Sequence, residues 1–495
     1  MNRREEVHHR DARYPQMAGW WESRWVQFAV AVLAGVILAL SYVRTVGGEL
    51  GDFDAYYAAG WTVRHGEPLY EHAFAWRDAG FAVNFPGERP LADRYPGVNS
   101  SPFVYPSAFA LAVVPLTLLP IETARVVWFT LMFGCFIAAA FVLSVIFFPA
   151  RQASQQLAMS LALAATLVVF QPTRASLSNG QVDAVLLLLI SLSLLAFVRK
   201  QDARAGVWLA LAASVKPFLG FLVLYYLWKG AARTVLAVIG LAGAILLLPA
   251  HYFGPSVLSD FATVALYWSS QSFAVSPFNQ SPYGLMLRVF TPNAFTVPLV
   301  EAPVLALVAR GAITVGVLGV LMQMVSRSRS LPATHLGLEY GLTVVGMLLV
   351  APLAQDIYYI HLVVPLIAVA ATLRASWSWQ LQPLALAAGT AATSLYLSLP
   401  GLRALSMGYY AFHDAPLVGL RVLQTGAHAY GLIALAAMTW ATVVWRRAAL
   451  ARQHDLSAVR APDEPQRVGR AGDLNRNGHL PASAAAFTPS NWSAP

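Results

Sequence analysis

Five polar constellations interrupt a chain that is otherwise almost wholly apolar. The first is Gly51-Asp52-Phe53-Asp54-Ala55-Tyr56-Tyr57, with Gly66-Glu67-Pro68-Leu69-Tyr70 behind it. A carboxylate just past an apolar helix can take a proton from a hydroxyl, as a general base must. Asp52 or Asp54 can equally cap a helix over 55–65. The second is Ser178-Asn179-Gly180-Gln181-Val182-Asp183, at the mouth of an apolar run. Asn179 and Gln181 can hydrogen-bond a polar ligand or cap the helix. Asp183 lies inside that run, where an ionisable group is costly and often functional. The third is Lys216-Pro217, in mid-segment. A central Lys costs about 2.5–3.5 kcal/mol on insertion scales, so Lys216 must face the protein interior, a water-filled cavity or an anion. A structural pair with Asp183 is the plainer alternative. Pro217 can break the helix and free backbone groups to line a cavity. The fourth is Asn279-Gln280-Ser281, with Gly284 and Arg288 following. Arg288 offers a rigid fork suited to phosphate. The triplet also reads as a plain loop, and Arg288 as an interfacial anchor. The fifth is Gln355-Asp356-Ile357-Tyr358-Tyr359-Ile360-His361. Tyr358 and His361 are three apart and share a helix face. His361 can shuttle a proton or donate to phosphate, or simply hold structure.

The elements that must position these residues are membrane helices. Of 495 residues, 57% are hydrophobic and 12% charged, against about 25% charged in soluble domains. Apolar runs of about 18 or more residues are transmembrane candidates, and about a dozen recur here. After a first helix at about 25–43 they fall at about 103–119, 126–148, 156–171, 182–198, 205–228, 233–249, 302–325, 336–354, 357–373, 381–399 and 420–445. An all-α polytopic fold of about 11–13 spans is expected. Residues 1–24 form a short cytoplasmic tail, 25–450 the membrane domain with a long first outer loop at about 44–101, and 451–495 a disordered cytoplasmic tail. The connection 251–298 can hold an interfacial helix. The first apolar run lacks a small-residue cleavage site and reads as an uncleaved helix.

The net charge of +9 does not point to nucleic acid. The basic residues cluster between apolar runs, as in Arg199-Lys200, Lys229 with Arg233, Arg327 with Arg329, and Arg446-Arg447. Short positive loops of this kind set membrane orientation. One conflict remains: Arg199-Lys200 and Lys229/Arg233 flank the same segment, so either that segment breaks at Lys216-Pro217 or an earlier one is re-entrant. The single cysteine, Cys135, excludes an internal disulfide. Phosphate-loop, dinucleotide and zinc spacings are absent from the sequence, so nucleotide hydrolysis is not expected, nor any metal or cofactor.

Together the five constellations resemble glycosyltransferase family 87, a bacterial branch of the GT-C superfamily whose members use polyprenol-phosphate-mannose. The family's Asp-Phe with a Tyr four residues after the Asp, then Gly and Leu-Tyr, resembles Asp52, Phe53, Tyr56, Gly66, Leu69 and Tyr70. Its Tyr-Pro-Pro lead-in to a helix ending in Leu-Pro is similar to Tyr105-Pro106 and Leu119-Pro120, with Ser107 for the second Pro. Its Gly-Gln-x-Asn resembles Gly180-Gln181 with Asp183 for Asn. Its Lys-Pro, and its Asn-Gln-Ser with a later Arg, resemble Lys216-Pro217, Asn279-Gln280-Ser281 and Arg288. The likeness runs in order over about 50–365. The late Ser-Pro-x-x-Trp-x-His-Tyr element reads Ala351-Pro352-Leu353-Ala354-Gln355-Asp356-Ile357-Tyr358. Ile357 replaces the family His, and His361, one helical turn on, is the candidate substitute.

The resemblance implies a GT-C-like bundle in a bacterial plasma membrane. It implies inverting transfer of a hexosyl group, mannosyl in the family, from a polyprenyl-phosphate donor to a lipid or glycan acceptor at the outer face. Asp52 would be the base. Asp54, Tyr56, Tyr105, Asn179, Gln181, Asp183, Lys216, Asn279, Gln280, Ser281, Arg288, Asp356, Tyr358 and His361 would bind substrate, with Lys216 and Arg288 on the phosphate. The competing readings are a transporter or lipid-linked-glycan flippase with Asp183, Lys216 and Asp356 along its path, and an inactive relative marked by Ile357.

Overall fold

Long apolar runs broken by proline and glycine give long helices joined by short turns. The computed structural model describes residues 22–48, 50–79, 102–150, 152–270, 273–375, 380–399, 401–402, 405 and 416–460. Residues 1–21, 80–101 of the expected outer loop, and 461–495 of the expected tail lie outside the described residues. Among the described residues the regular elements are helical, apart from one isolated parallel bridge between Thr296 and Leu417. The protein is an all-α polytopic membrane protein.

Among the described residues seven helices are long and apolar enough to cross a membrane, or eight if α6 (Ala153–Val168) and α7 (Gln171–Ser178), bent by 81°, form one span. The order begins with α1 (Arg24–Thr45), α2 (Gly51–Arg64), α3 (Glu71–Ala79), α4 (Ser107–Val113) and α5 (Ile121–Phe147). After α6 and α7 come α8 (Asp183–Val198), α9 (Asp202–Val215), α10 (Val223–Trp228), α11 (Ala232–Phe253), α12 (Ser256–Ser270), α13 (Pro282–Phe290), α14 (Pro303–Met324) and α15 (Ala333–Val350). The chain ends with α16 (Val363–Ala375), α17 (Leu381–Leu397) and α18 (Ala427–Arg460).

The runs at 103–119, 182–198, 205–228 and 381–399 are too short or too broken to count among the seven. Within 44–101 the described residues hold α2 and α3. Helix α18 continues beyond residue 451, where the sequence had suggested a tail.

The orientation conflict resolves at Lys216-Pro217. Lys216 is extended, with φ −125° and ψ 99°, as a residue before proline prefers. Helix α9 stops there, and the chain returns through a 3-10 turn (Pro217–Leu222) and α10. Both ends then meet one loop. The Arg329 side chain pairs with Asp202, while Lys229 Nζ donates to Ser328 O at 2.9 Å. Trp228 Nε1 donates to Val325 O at 2.8 Å. The two basic clusters that seemed to lie on opposite sides therefore lie together.

A second break shapes the site. Residues Asp356–Leu362 form a 3-10 turn before α16. Side chains three apart eclipse in such a turn. Tyr358 and His361 thus share a face, whereas Asp356 shares one with Tyr359.

Candidate active site

The site is assembled where the start of α2 abuts the turn between α7 and α8. Gly180 has φ +70°, and a Cβ there would stand 2.7 Å from Leu50 Cβ and 3.0 Å from Phe53 Cβ. Only glycine satisfies both the backbone and this approach. The abutment is sealed by Asp52 N donating to Asn179 O at 3.0 Å and Asn179 Nδ2 donating to Asp52 Oδ2 at 2.7 Å. Trp128, on α5, donates from Nε1 to Gly180 O at 2.7 Å and stacks on Phe53 at 5.2 Å.

Behind Asp52 lies a connected polar cluster. Gln181 Oε1 is 3.0 Å from Lys216 Nζ, 3.0 Å from Tyr56 Oη and 3.2 Å from Tyr105 Oη, and the two hydroxyls are 2.8 Å apart. The single proton of Tyr56 can serve Tyr105 or Gln181, not both at once. Tyr70 holds the Tyr105 backbone, donating to its carbonyl at 2.7 Å. Lys216 Nζ also donates to Asp183 Oδ2 at 2.8 Å and lies 3.7 Å from the Tyr358 ring centroid. His361 Nε2 approaches the other Asp183 oxygen at 3.3 Å. Neither His361 ring nitrogen has a hydrogen-bond partner among the described residues.

The cluster thus joins residues from α2, the 105 lead-in, the α7–α8 turn, the hairpin tip and the 356–362 turn. Asp52 and Asn179 are half-buried at its mouth, while Gln181, Asp183 and His361 are fully buried. Lys216, Tyr105 and Tyr358 keep slivers of exposure of 4%, 8% and 9%. Burial pushes the Asp52 carboxyl up to about 6, with Asp183 adding to the rise, against the lowering effect of Lys216 and of hydrogen bonds from Gln181 and Asn179. A carboxylate so poised is a competent base near neutral pH.

Several expected site residues lie elsewhere. Neither Asp52 nor Asp54 is a helix cap. Helix α2 begins at Gly51, and the cap position, Leu50, makes no side-chain bond. Both carboxylates sit in the first turn, where the helix dipole favours them. Asp54 has no exposure and binds Arg125 through two bonds, Nε to Oδ1 at 2.9 Å and Nη2 to Oδ2 at 2.8 Å. It anchors α2 to α5 rather than touching the cluster.

Asn279, Gln280, Ser281 and Arg288 form a buried knot of backbone contacts instead of a ligand surface. Asn279 Nδ2 donates to Ala274 O and Pro352 O, both at 2.9 Å, and its Oδ1 accepts from Ser281 N and Ala354 N. Gln280 Nε2 donates to Thr425 O at 2.9 Å, and Ser281 Oγ caps α13 by accepting from Gly284 N at 3.0 Å. Arg288, with no exposure, donates to Ser276 O at 2.8 Å, Asn279 O at 3.0 Å and Thr425 Oγ1 at 2.8 Å. The guanidinium fork that suggested phosphate is engaged with carbonyls.

Asp356 is on the turn face with Tyr359, which donates to Gln280 O at 2.8 Å, and so belongs to this knot's side. Ile357 is buried at 2%. His361 reaches the cluster, but not by sharing a face with residue 357: a 3-10 turn pairs 357 with 360.

Sequence reasoning missed Arg125, Trp128 and the part played by Tyr70. Arg125 left one weak signal, a cation at the entrance of an apolar run. The family model of glycosyltransferase family 87 matches residues 103–352, just over half of the 495-residue chain. No curated protein and no solved structure matches the chain.

Proposed function

The chain belongs to glycosyltransferase family 87 and is a membrane glycosyltransferase, and from that premise we propose that it moves a hexosyl group, mannosyl by resemblance, from a polyprenyl-phosphate donor to a lipid or glycan acceptor. The observation that carries this reading is the juxtaposition of a half-buried Asp52, its carboxyl near 6, with the Lys216–Asp183–His361 cluster. Asp52 precedes the family match and His361 follows it, so their roles rest on geometry.

In the proposed step the acceptor hydroxyl lies against Asp52. Asp52 takes its proton as the acceptor oxygen attacks the anomeric carbon from the face opposite the phosphate. The bond from that carbon to the phosphate oxygen breaks, and polyprenyl phosphate leaves with the electron pair. The configuration inverts. Lys216 faces the charge that develops on the leaving phosphate, in a site with little water. The amides of Asn179 and Gln181 offer the sugar hydrogen-bonding groups.

The basic clusters gather about 21 Å along α9 from this site, the length of 14 residues of helix. If that end is cytoplasmic, transfer takes place towards the outer face, in a GT-C-like arrangement. The transporter alternative has less support: Asp356, one station of its path, lies on a different face of the 3-10 turn from His361.

The test is to incubate purified protein with radiolabelled polyprenyl-phosphate sugars and total membrane lipid extract. Labelled product with wild-type protein, absent with Asp52→Asn, supports the reading. No transfer from any lipid-linked sugar, together with substrate flux across liposomes, would replace it with the transporter.

A further inference from the structure

We infer that residues 202–228 are a re-entrant hairpin entering and leaving the membrane on one side, and that Glu339 is a positioning residue that fixes Lys216 through the hairpin's foot. The second half of this inference rests on the role of Lys216 given above.

The hairpin follows from lengths and anchors. Helix α9 has 14 residues and rises about 21 Å at 1.5 Å each. The return path has six 3-10 residues and six α residues, about 12 plus 9 Å. The limbs match, so Lys216 stands about 21 Å above the foot, some two-thirds of the way through a core of about 30 Å. A single crossing would carry the second end to the far side. Instead Thr234 Oγ1 donates to Asp202 O at 3.0 Å, Asp202 pairs with Arg329, and Lys229 binds Ser328 O. Residues 202 and 229–234 are thereby held against each other and against the loop 325–329. Close packing holds the ascending limb: a Cβ on Gly206 would stand 2.4 Å from Thr234 O.

The foot is locked by a carboxylate that no catalytic group touches. Glu339 has no exposure. Its Oε2 accepts from Lys229 Nζ at 2.5 Å and its Oε1 from Ser326 N at 2.7 Å, with His335 Nε2 at 3.4 Å. It binds α15, the 325–329 loop and the hairpin in one contact set. A buried ion pair seldom adds net stability over well-packed apolar residues. What this pair does supply is a fixed vertical register for the descending limb. Tyr225 Oη, donating to Leu336 O at 3.1 Å, ties the descending limb to α15 a second time. Because the 3-10 turn packs on α9 and α15 and continues into α10, a slip at the foot is transmitted to Lys216. Misplacement of about 1 Å can cost about a hundredfold in rate.

The test has two arms that need no enzymatic activity and one that does. In a Cys135→Ala background, single cysteines Gln201→Cys and Ala232→Cys should react with an impermeant thiol reagent from the same face of oriented vesicles. Labelling from opposite faces overturns the hairpin. Lys216→Cys reads the tip: its modification rate by a small permeant thiosulfonate should change about tenfold when Glu339→Ala is added, an interaction of about 1.4 kcal/mol. An unchanged rate overturns the positioning role. If Glu339→Ala fails to fold, the double variant Lys229→Met with Glu339→Met removes the pair without stranding a charge, and the same outcomes decide. In the third arm, Glu339→Ala should raise donor KM with Lys216 present and have less than about a twofold effect in Lys216→Ala, since coupled sites are non-additive. Equal losses in both backgrounds mean a merely structural Glu339. Absent transfer with same-face labelling and a shifted tip rate leaves the hairpin standing and sinks the glycosyltransferase mechanism instead.

Discussion

Replacing Asp52 by asparagine should lower activity and raise stability, two opposite effects from one substitution. The carboxyl is lifted from the usual 3.8 to about 6, chiefly by burial. Below about pH 4 the folded and unfolded chains both hold the proton, and the contribution to stability is fully present. As pH rises from 4 to 6 the unfolded chain ionises first, and stability declines. Above 6 the folded chain carries an ionised Asp52 at a cost of about two pKa units, or roughly 3 kcal/mol as an upper figure. Asparagine avoids this cost and still accepts the hydrogen bond from Asn179. At pH 7.5 the variant should therefore melt at or above the wild-type temperature, and the gap should close near pH 4. It cannot take a proton, so single-turnover transfer should fall by about a hundredfold or more. Wild-type transfer should drop by half as pH falls through about 6, and residual transfer by the variant should lack that limb. The assays are thermal denaturation in detergent and quenched single-turnover transfer with lipid-linked sugar. Wild-type transfer by Asp52→Asn would remove it as the base. A lowered melting temperature at pH 7.5 would mean that the carboxylate stabilises the fold, which the burial argument forbids.

Four further substitutions test neighbouring assignments. Asp54→Asn strands the Arg125 guanidinium, for which exposed Glu122 at 3.0 Å is only partial compensation, and should cost about 3 kcal/mol while leaving transfer per folded molecule within a few-fold; unchanged melting would return Asp54 to a capping role. Arg288→Ala leaves the Ser276 and Asn279 carbonyls short of a donor at about 1–3 kcal/mol each, so it should lose stability with donor KM unaltered in the folded fraction, whereas Lys216→Ala should weaken donor use by an interaction of about 1.5–3 kcal/mol; donor titrations of folded protein that ranked the two the other way would exchange their roles. Gly180→Ala forces an L side chain into positive φ against Leu50 and should impair transfer and stability together, read by melting and rate in parallel; a silent substitution would mean that α2 is free to move off the turn.

The membrane fold was legible because burial in lipid writes itself into composition: long apolar runs with charges at their ends need no tertiary information. The cluster was legible in part for a related reason. Asp183 and Lys216 are expensive in an apolar run, so each demanded a partner, and each proved to be the other's. The knot at Asn279–Arg288 was misread because its partners are backbone carbonyls of residues 274–279, 352 and 425, which carry no sequence signature. A buried Arg bound to carbonyls and an Arg awaiting phosphate look alike in sequence. The 3-10 turn at 356–362 was invisible for another reason. Over seven residues, periods of 3.0 and 3.6 barely separate, yet the difference decides which of Asp356 and His361 faces the cluster. Arg125 escaped because Asp54 already had a plausible local role in helix capping, so no distant partner was sought.

The relocation of Arg288 changes the electrostatics that the proposed reaction must satisfy. With Arg288 engaged in the knot, Lys216 is the cation that directly contacts the cluster, and it already serves Asp183 at 2.8 Å and Gln181 at 3.0 Å. An arriving phosphate would therefore not meet an open positive site. It would enter a shell where Asp183 holds half of the lysine's attention, and a buried ion pair opened on one side is costly. The arrangement has a compensating member. His361 stands 3.3 Å from the second Asp183 oxygen, with both ring nitrogens lacking hydrogen-bond partners among the described residues. His361 therefore stays beside Asp183 when Lys216 turns towards the phosphate. Asp183 is the buried counter-ion of Lys216, paired with it at 2.8 Å.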